Sequence, residues 1–431
     1  MSPPVKPWRK RFRRGAAWLA LALVLGSGAA AAEPVKLGMV TFLSGPATGH
    51  YGIPTANAAR LLIDAINDGA MPPPYEAAGF AGRPVEVVIV DEAGGATKQV
   101  SEFRNLVQRQ GVDAVVGYVS SGSCLAIAPV AEEMRALTVL FTCGTPRIFE
   151  ENSYRYVFRT IAHATMDGVA AARYLLDRDP DLGSFAGINP NYAWGHDSWR
   201  DFSLTLAALK GDAELKAHLL PKLFAGNYNA EISALLVSGA DVVHSSLWGG
   251  DLESFVVEAA ARGLAARTML VLTTGEAMVH ALPKRIPAGV AIGGRGPYGL
   301  FAEDTPLNAW FRDSYEDRFG APPSFPAYQL AQAILGLKVA YDRAGLGADT
   351  EAVIDAFEYM EYEAFGATVR MALGQGHQAI TGTAYGLYAY DPERGPTVTD
   401  VIRYPAACVN PPDGMTSVAW IEAGMPGADC P

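Results

Sequence analysis

From residue 35 onward, short apolar runs alternate with stretches of helical period. A chain patterned this way is constrained to βαβ units and parallel sheets. The strand-like runs are Val35–Phe42, Pro84–Asp91, Asp113–Val119 and Thr138–Thr142, then Ser184–Ile188, Asp241–Leu247 and Thr268–Thr273. Between them lie helical patterns at Ile53–Asn67, Lys98–Gln110, Leu125–Arg135, Met166–Asp177, Asp197–Leu209, Glu231–Val237 and Leu252–Arg262. In the first helix Ala56, Ala59, Leu62, Ile63 and Ile66 share one face. The strands are apolar almost throughout, as expected where helices cover both faces of a sheet. Two such series, divided near Tyr154–Thr160, predict two lobes of similar build. The segment Thr305–Phe357 is helix-rich, with candidates at Asn308–Phe319, Ala327–Arg343 and Thr350–Phe357, and Gly366–Tyr404 returns to short β-like runs.

The first 32 residues do not belong to this pattern. They carry six basic groups and no acidic one, an apolar run at Ala16–Leu25, and Ala30-Ala31-Ala32 as a small-residue cleavage motif. This is the layout of a secretory signal removed near Ala32. A membrane anchor is the competing reading, but the uncharged stretch of 18 residues is barely a span and two thirds of it is Ala, Gly or Ser. Arg13-Arg14 would suit a twin-arginine route, yet the following residues match that signal poorly, so general secretion is expected. Without the leader the net charge falls from −11 to −17. That acidity argues against nucleic-acid binding, which needs phosphate-neutralising cations.

In open α/β sheets, ligands bind beyond the carboxyl ends of the strands. The loops at those positions are LSGPATGHYG, SSGSC, CGTPR, NPNYAWGHD, WGGDLE and TGEA, rich in Gly, Ser, Thr and aromatics and poor in cations. Such loops suit a small organic ligand, with glycine allowing close backbone approach and aromatics forming walls. No G-x-S-x-G elbow, P-loop, C-x-x-C or H-E-x-x-H motif occurs, so no enzyme, cofactor or metal is expected. Cys408 and Cys430, 22 apart in a Pro/Gly-rich tail, are expected to be bridged. Cys124 and Cys143, each just beyond a strand, could be a bridge or two buried thiols.

These loops in this order resemble the periplasmic solute-binding proteins of ABC importers, of the leucine/isoleucine/valine-binding type. The carrying segments are Leu43–Gly52, Gly117–Ser123, Phe141–Arg147, Asn191–Gly195, Asp241–Asp251, Ala327–Ile334 and Gly376–Gly382. The resemblance implies an α/β fold of two Rossmann-like lobes joined by three hinge crossovers, with a ligand cleft between them. Lobe one would take 33–156 plus 286–358 and lobe two 157–285 plus 359–431. The helix-rich Thr305–Phe357 segment would then pack on the first sheet. The implied ligand is an amino acid, branched-chain or aromatic, or a related carboxylate. Amides, urea-like solutes and aromatic acids are the alternative, and a ligand sensor of the same fold is another.

Carried over position by position, Ser121 and Thr145 would hold the ligand carboxylate with backbone around Cys143 and Gly144, and no arginine would be needed. Tyr51, Tyr192, Trp194 and Trp248 would line the cleft. The amine pocket matches least well: Glu276 and Asp251 are the two candidates, and if neither reaches the cleft the ligand would lack an α-amine. The expected partners are the solute and a membrane permease, and the expected state is a periplasmic monomer.

Overall fold

The computed structural model describes residues 1–4 and 33–431, so nearly all of the expected leader lies outside the described residues. The strands, in chain order, are β1 (Val35–Thr41), β2 (Val85–Asp91), β3 (Ala114–Val116), β4 (Thr138–Leu140), β5 (Val157–Arg159), β6 (Ser184–Ile188), β7 (Glu214–Leu219), β8 (Val242–Ser245), β9 (Met269–Leu272) and β10 (Ala291–Gly293). They continue with β11 (Glu361–Glu363), β12 (Thr368–Leu373), β13 (Gln378–Ile380), β14 (Thr383–Asp391) and β15 (Gly395–Tyr404). An eight-stranded sheet runs β11-β12-β13-β5-β4-β3-β1-β2 and a seven-stranded sheet runs β15-β14-β10-β9-β8-β6-β7. All pairings among β1–β5 and among β6–β10 are parallel, and β11, β12, β14 and β15 add antiparallel margins.

Each parallel core is doubly wound. The order reverses at β1 and β3 in the first sheet and at β6 and β8 in the second. A crevice opens at such a switch point, because consecutive connections leave toward opposite faces. The first sheet buries Leu37, Met39 and Val116 against the helix Ile53–Asn67 and the long helix Phe325–Ala344, where Leu330, Ile334 and Leu337 are inaccessible or nearly so. The second buries Ile188, Val243, Leu270 and Leu272 with Phe255 and Tyr228 on one face.

By sheet membership the chain crosses between the halves three times: after β5, after β10, and between β13 and β14. These points differ from the expected boundaries at 156/157, 285/286 and 358/359. β5 pairs with β4 residue by residue, β10 pairs with β9, and β11–β13 extend the first sheet through a β13–β5 contact. Strands of three residues have too little pattern to betray their sheet, since long-range pairing decides it. β7, an edge strand of sequence ELKAHL with an exposed first half, escapes a reading based on apolar runs for a related reason.

Candidate functional site

The loops that leave the first sheet form one wall. Aspartate and glutamate at the end of β2 build it from behind. Asp91 accepts from the Leu43 and Ser44 amides at 2.9 and 3.3 Å and from the Ser44 hydroxyl at 2.6 Å, which pins the loop after β1. Glu92, 1 % exposed, accepts from the Val119 and Ser120 amides, both at 2.8 Å, which shapes the loop after β3. Burial pushes the Glu92 carboxyl up to about 7 despite those two bonds. Ser121 opens the helix Ser121–Glu133, and its Oγ accepts from the Gly144 and Thr145 amides at 3.2 Å each. Tyr51, Val119, Ser121, Thr142 and Gly144 face a common cavity from this side.

The loops that leave the second sheet supply the opposite wall: Tyr192 and Trp194 after β6, Trp248 after β8, Thr274 after β9 and Arg295 after β10. The Trp194 indole N–H donates to the Ser246 carbonyl at 2.8 Å, which fixes the ring. Arg295 lies against that ring, its Cζ 4.4 Å from the centroid, a cation–π arrangement. Its Nε donates to Asp167 Oδ2 at 3.1 Å and its Nη1 to the Thr142 carbonyl at 2.6 Å, across to the first wall. Its Nη2 is buried without a hydrogen-bond partner, as is Thr142 Oγ1. Asp167 is wholly buried, which raises its carboxyl to about 6 even beside Arg295. The space between the walls is narrow, with about 10 Å³ open to the centre of a water-sized sphere.

The walls also touch at the rim. The Gly250 amide donates to the Pro46 carbonyl at 2.8 Å, and a Cβ on Gly250 would stand 3.0 Å from that oxygen, so only glycine allows this approach without a shift. His50 Nε2 lies 2.9 Å from Glu253. Tyr51 meets Trp248 edge-on at 5.2 Å, and Trp248 also packs on Phe42 and Phe224 at 5.9 and 5.2 Å. A Cβ on Gly144 would fall 2.3 Å from Trp194 and 2.6 Å from Arg295 Nη2, so the contact of wall with wall depends on that glycine.

Of the residues singled out in the sequence, Tyr51, Ser121, Gly144, Tyr192, Trp194 and Trp248 meet at this cavity. The others do not line it. Thr145 keeps its amide on Ser121 but turns its hydroxyl to Asp197 at 2.6 Å, where Arg147 also bonds. Cys143 is bridged to Cys124 with their Cα atoms 6.5 Å apart, which ties the loop after β4 to the helix after β3. Cys408 and Cys430 form the second bridge, Cα atoms 4.7 Å apart. Asp251 accepts from the Phe224 amide at 2.6 Å and organises a loop beside the rim. Glu276 accepts from the Phe325 and Leu300 amides at 2.7 and 3.2 Å, and burial raises it to about 8. Both acids are consumed by backbone N–H groups that would otherwise be unsatisfied.

Arg295 is a lining residue that the sequence reading missed, at a site expected to hold a carboxylate without needing an arginine. Its signal was a cation in GGRGP directly after the apolar VAIGG, a post-strand loop once β10 is recognised. Val119, Thr142 and Thr274 were missed for a smaller reason: each is one or two places from a residue that was singled out.

This arrangement, two doubly wound sheets facing a cavity with their strand ends, is that of a two-lobe binding protein. Residues 34–388 match the family model described as periplasmic binding protein, and the chain belongs to that family. The leucine-, isoleucine-, valine-, threonine- and alanine-binding protein of Pseudomonas aeruginosa is 26 % identical over 341 residues, covering 77 % of this chain and 84 % of that one. A solute-binding protein of an ABC transporter from Rhodopseudomonas palustris BisB5, in complex with 3,4-dihydroxybenzoic acid, shares the fold with TM-score 0.74 and 18 % identity, covering 86 % of this chain and 98 % of that one. A leucine-binding protein from Thermotoga maritima shares it with TM-score 0.68 and 16 % identity, covering 85 % and 98 %.

Proposed function

We propose that this chain captures a small carboxylate-bearing solute between two lobes and delivers it to the membrane permease of an ABC importer. The observation that carries the reading is the cavity itself, whose ten lining residues come in equal number from the post-strand loops of the two sheets. A ligand there touches both halves at once, so it favours the closed arrangement by its differential contacts. Each lobe is built around one sheet, and the segments after β5, after β10 and between β13 and β14 act as hinges. The leader is removed near Ala32, and the mature protein works in the periplasm as a monomer. Among the described residues no helix is long and apolar enough to cross a membrane. We read the chain as a binder rather than an enzyme, because the cavity holds no nucleophile paired with a base.

The relatives named above point the same way, one by its amino-acid ligands and one by its aromatic acid. The test is a calorimetric and thermal-shift screen of the mature chain against carboxylates, amino acids, amides, sugars and amines, paired with small-angle scattering. Ligand at 100 times its Kd should add about 2.7 kcal/mol of stability. Binding that leaves the scattering radius unchanged would count against capture by closure, and binding of sugars or amines alone would count against a carboxylate solute.

A further inference from the structure

The cavity has one charged group in its lining, Arg295, and no carboxylate. We infer that the solute is a carboxylate without an ammonium group, held by the free Nη2 of Arg295 and carried between the Tyr51, Tyr192, Trp194 and Trp248 rings. This inference rests on the proposed solute capture and narrows its ligand class.

The donors converge on an anion. Arg295 Nη2 has no partner and its residue is only 4 % exposed. A buried guanidinium N–H left unpaired is costly, and a ligand oxygen would satisfy it with a charge-assisted bond. The helix Ser121–Glu133 begins at the cavity with Ser121, and the helix Ala193–Leu209 begins there with Trp194 near its first turn. Helix N-termini carry partial positive charge. Thr142 Oγ1, also unpartnered, adds a hydroxyl on the first wall.

The acceptors that an ammonium would need are spent elsewhere. Glu92 gives its two oxygens to the Val119 and Ser120 amides, behind the loop. Asp167 binds Arg295 through Oδ2, and although its Oδ1 has no partner the residue lies behind the arginine and is not among the lining residues. Glu276 and Asp251 cap backbone amides outside the cavity. An ammonium placed here would lie beside a guanidinium with no carboxylate facing it, and a buried charge without its counter-charge is strongly disfavoured.

Matched pairs test this, two that change only the amine and one that changes only the carboxylate. Titrate the mature chain calorimetrically with 4-methylpentanoate against leucine, with 3-phenylpropanoate against phenylalanine, and with benzoate against benzamide. The inference expects at least one acid to bind, its amino-acid counterpart to bind about 100-fold more weakly or worse, and benzamide to bind less well than benzoate. Equal or tighter binding by leucine or phenylalanine overturns the inference and leaves solute capture standing. Failure of every acid and amino acid, with or without binding of neutral compounds, overturns both. Arg295→Lys keeps a cation beside Asp167 and should weaken the bound acid at least tenfold while the melting temperature stays near that of the parent. Should that variant fold poorly, Thr142→Val supplies the second reading, since it removes the free hydroxyl and should weaken the acid without improving the amino acid.

Discussion

Arg295 and Arg159 are at most 4 % exposed, and each leaves Nη2 without a hydrogen-bond partner. Each stands against a ring, Trp194 at 4.4 Å and Phe149 at 5.7 Å. Their remaining partners differ. Arg295 bonds the carboxylate of Asp167, whereas Arg159 is held by the Gln378 side chain and the carbonyls of Cys143 and Thr145. Burial, with the repulsion of Arg295, lowers Arg159 to about 9. A buried cation held by neutral dipoles alone ties backbone together: Arg159 joins the loop after β4 to β13 at a crossover. Arg295, neutralised from behind, keeps a donor to offer. Arg159 also borders a larger cavity, about 270 Å³, reaching to the tail at Pro411–Thr416. Size therefore does not locate the candidate site. Convergence of post-strand loops does.

The contrast can be broken most forcefully at Arg295. Arg295→Met leaves Asp167 buried without its partner and should cost about 3–5 kcal/mol at neutral pH. The deficit should shrink as pH falls toward about 6, because without Arg295 the buried Asp167 carboxyl takes up its proton above the value of about 6 that it has beside that arginine. Urea unfolding at pH 5 and pH 7.5 checks this, and equal deficits at both would deny the ion pair its role. Adding Asp167→Leu should recover most of the loss.

Arg159→Met should cost less, about 1–3 kcal/mol for acceptors left unpaired. No carboxylate bonds Arg159, so this deficit should stay level between pH 5 and 8, and solute affinity should change little. A tenfold loss of affinity would erase the distinction between the two arginines.

Gly144→Ala pushes a methyl into both Trp194 and Arg295 and should cost about 1–2 kcal/mol, within the usual range for overpacking. Affinity should fall more than stability, because the clash is between the walls. Equal Kd values for parent and variant would show that these contacts are not made in the bound state.

The smallest effect on binding is expected from Glu276→Gln, with Kd changed by about twofold or less. Stability should show the substitution instead. The folded protein holds the Glu276 proton up to about pH 8 while the unfolded chain releases it near the ordinary glutamate value. Folding stability from this group is therefore full at low pH and is lost as pH rises toward and through about 8. The amide should flatten that slope in thermal melts across pH 4–9.

Much of the scaffold was legible because its signals are local. The helices Ile53–Asn67 and Thr350–Phe357 and the strand Ser184–Ile188 stand where periodicity places them. Post-strand loops named six of the ten cavity residues, because parallel sheets put those loops at one edge. Asp251 and Glu276 were misread for the opposite reason. An acid near a cleft in sequence is equally an acceptor for loose backbone amides, and only packing tells which amides come near.

The sequence alone determined a parallel α/β chain in two series, an acidic body behind a basic N-terminal stretch, and a set of aromatic and hydroxyl-bearing loops. Tertiary structure decided which sheet receives β5, β10 and β13, where the chain crosses between halves, and that Arg295 rather than any acid faces the cavity. Periodicity and turn chemistry act over a few residues and are written in order along the chain. Strand pairing, ion pairing and the direction of a buried side chain depend on groups far apart in the chain, 128 residues for Asp167 and Arg295 and 219 for Arg159 and Gln378, and no local pattern encodes them.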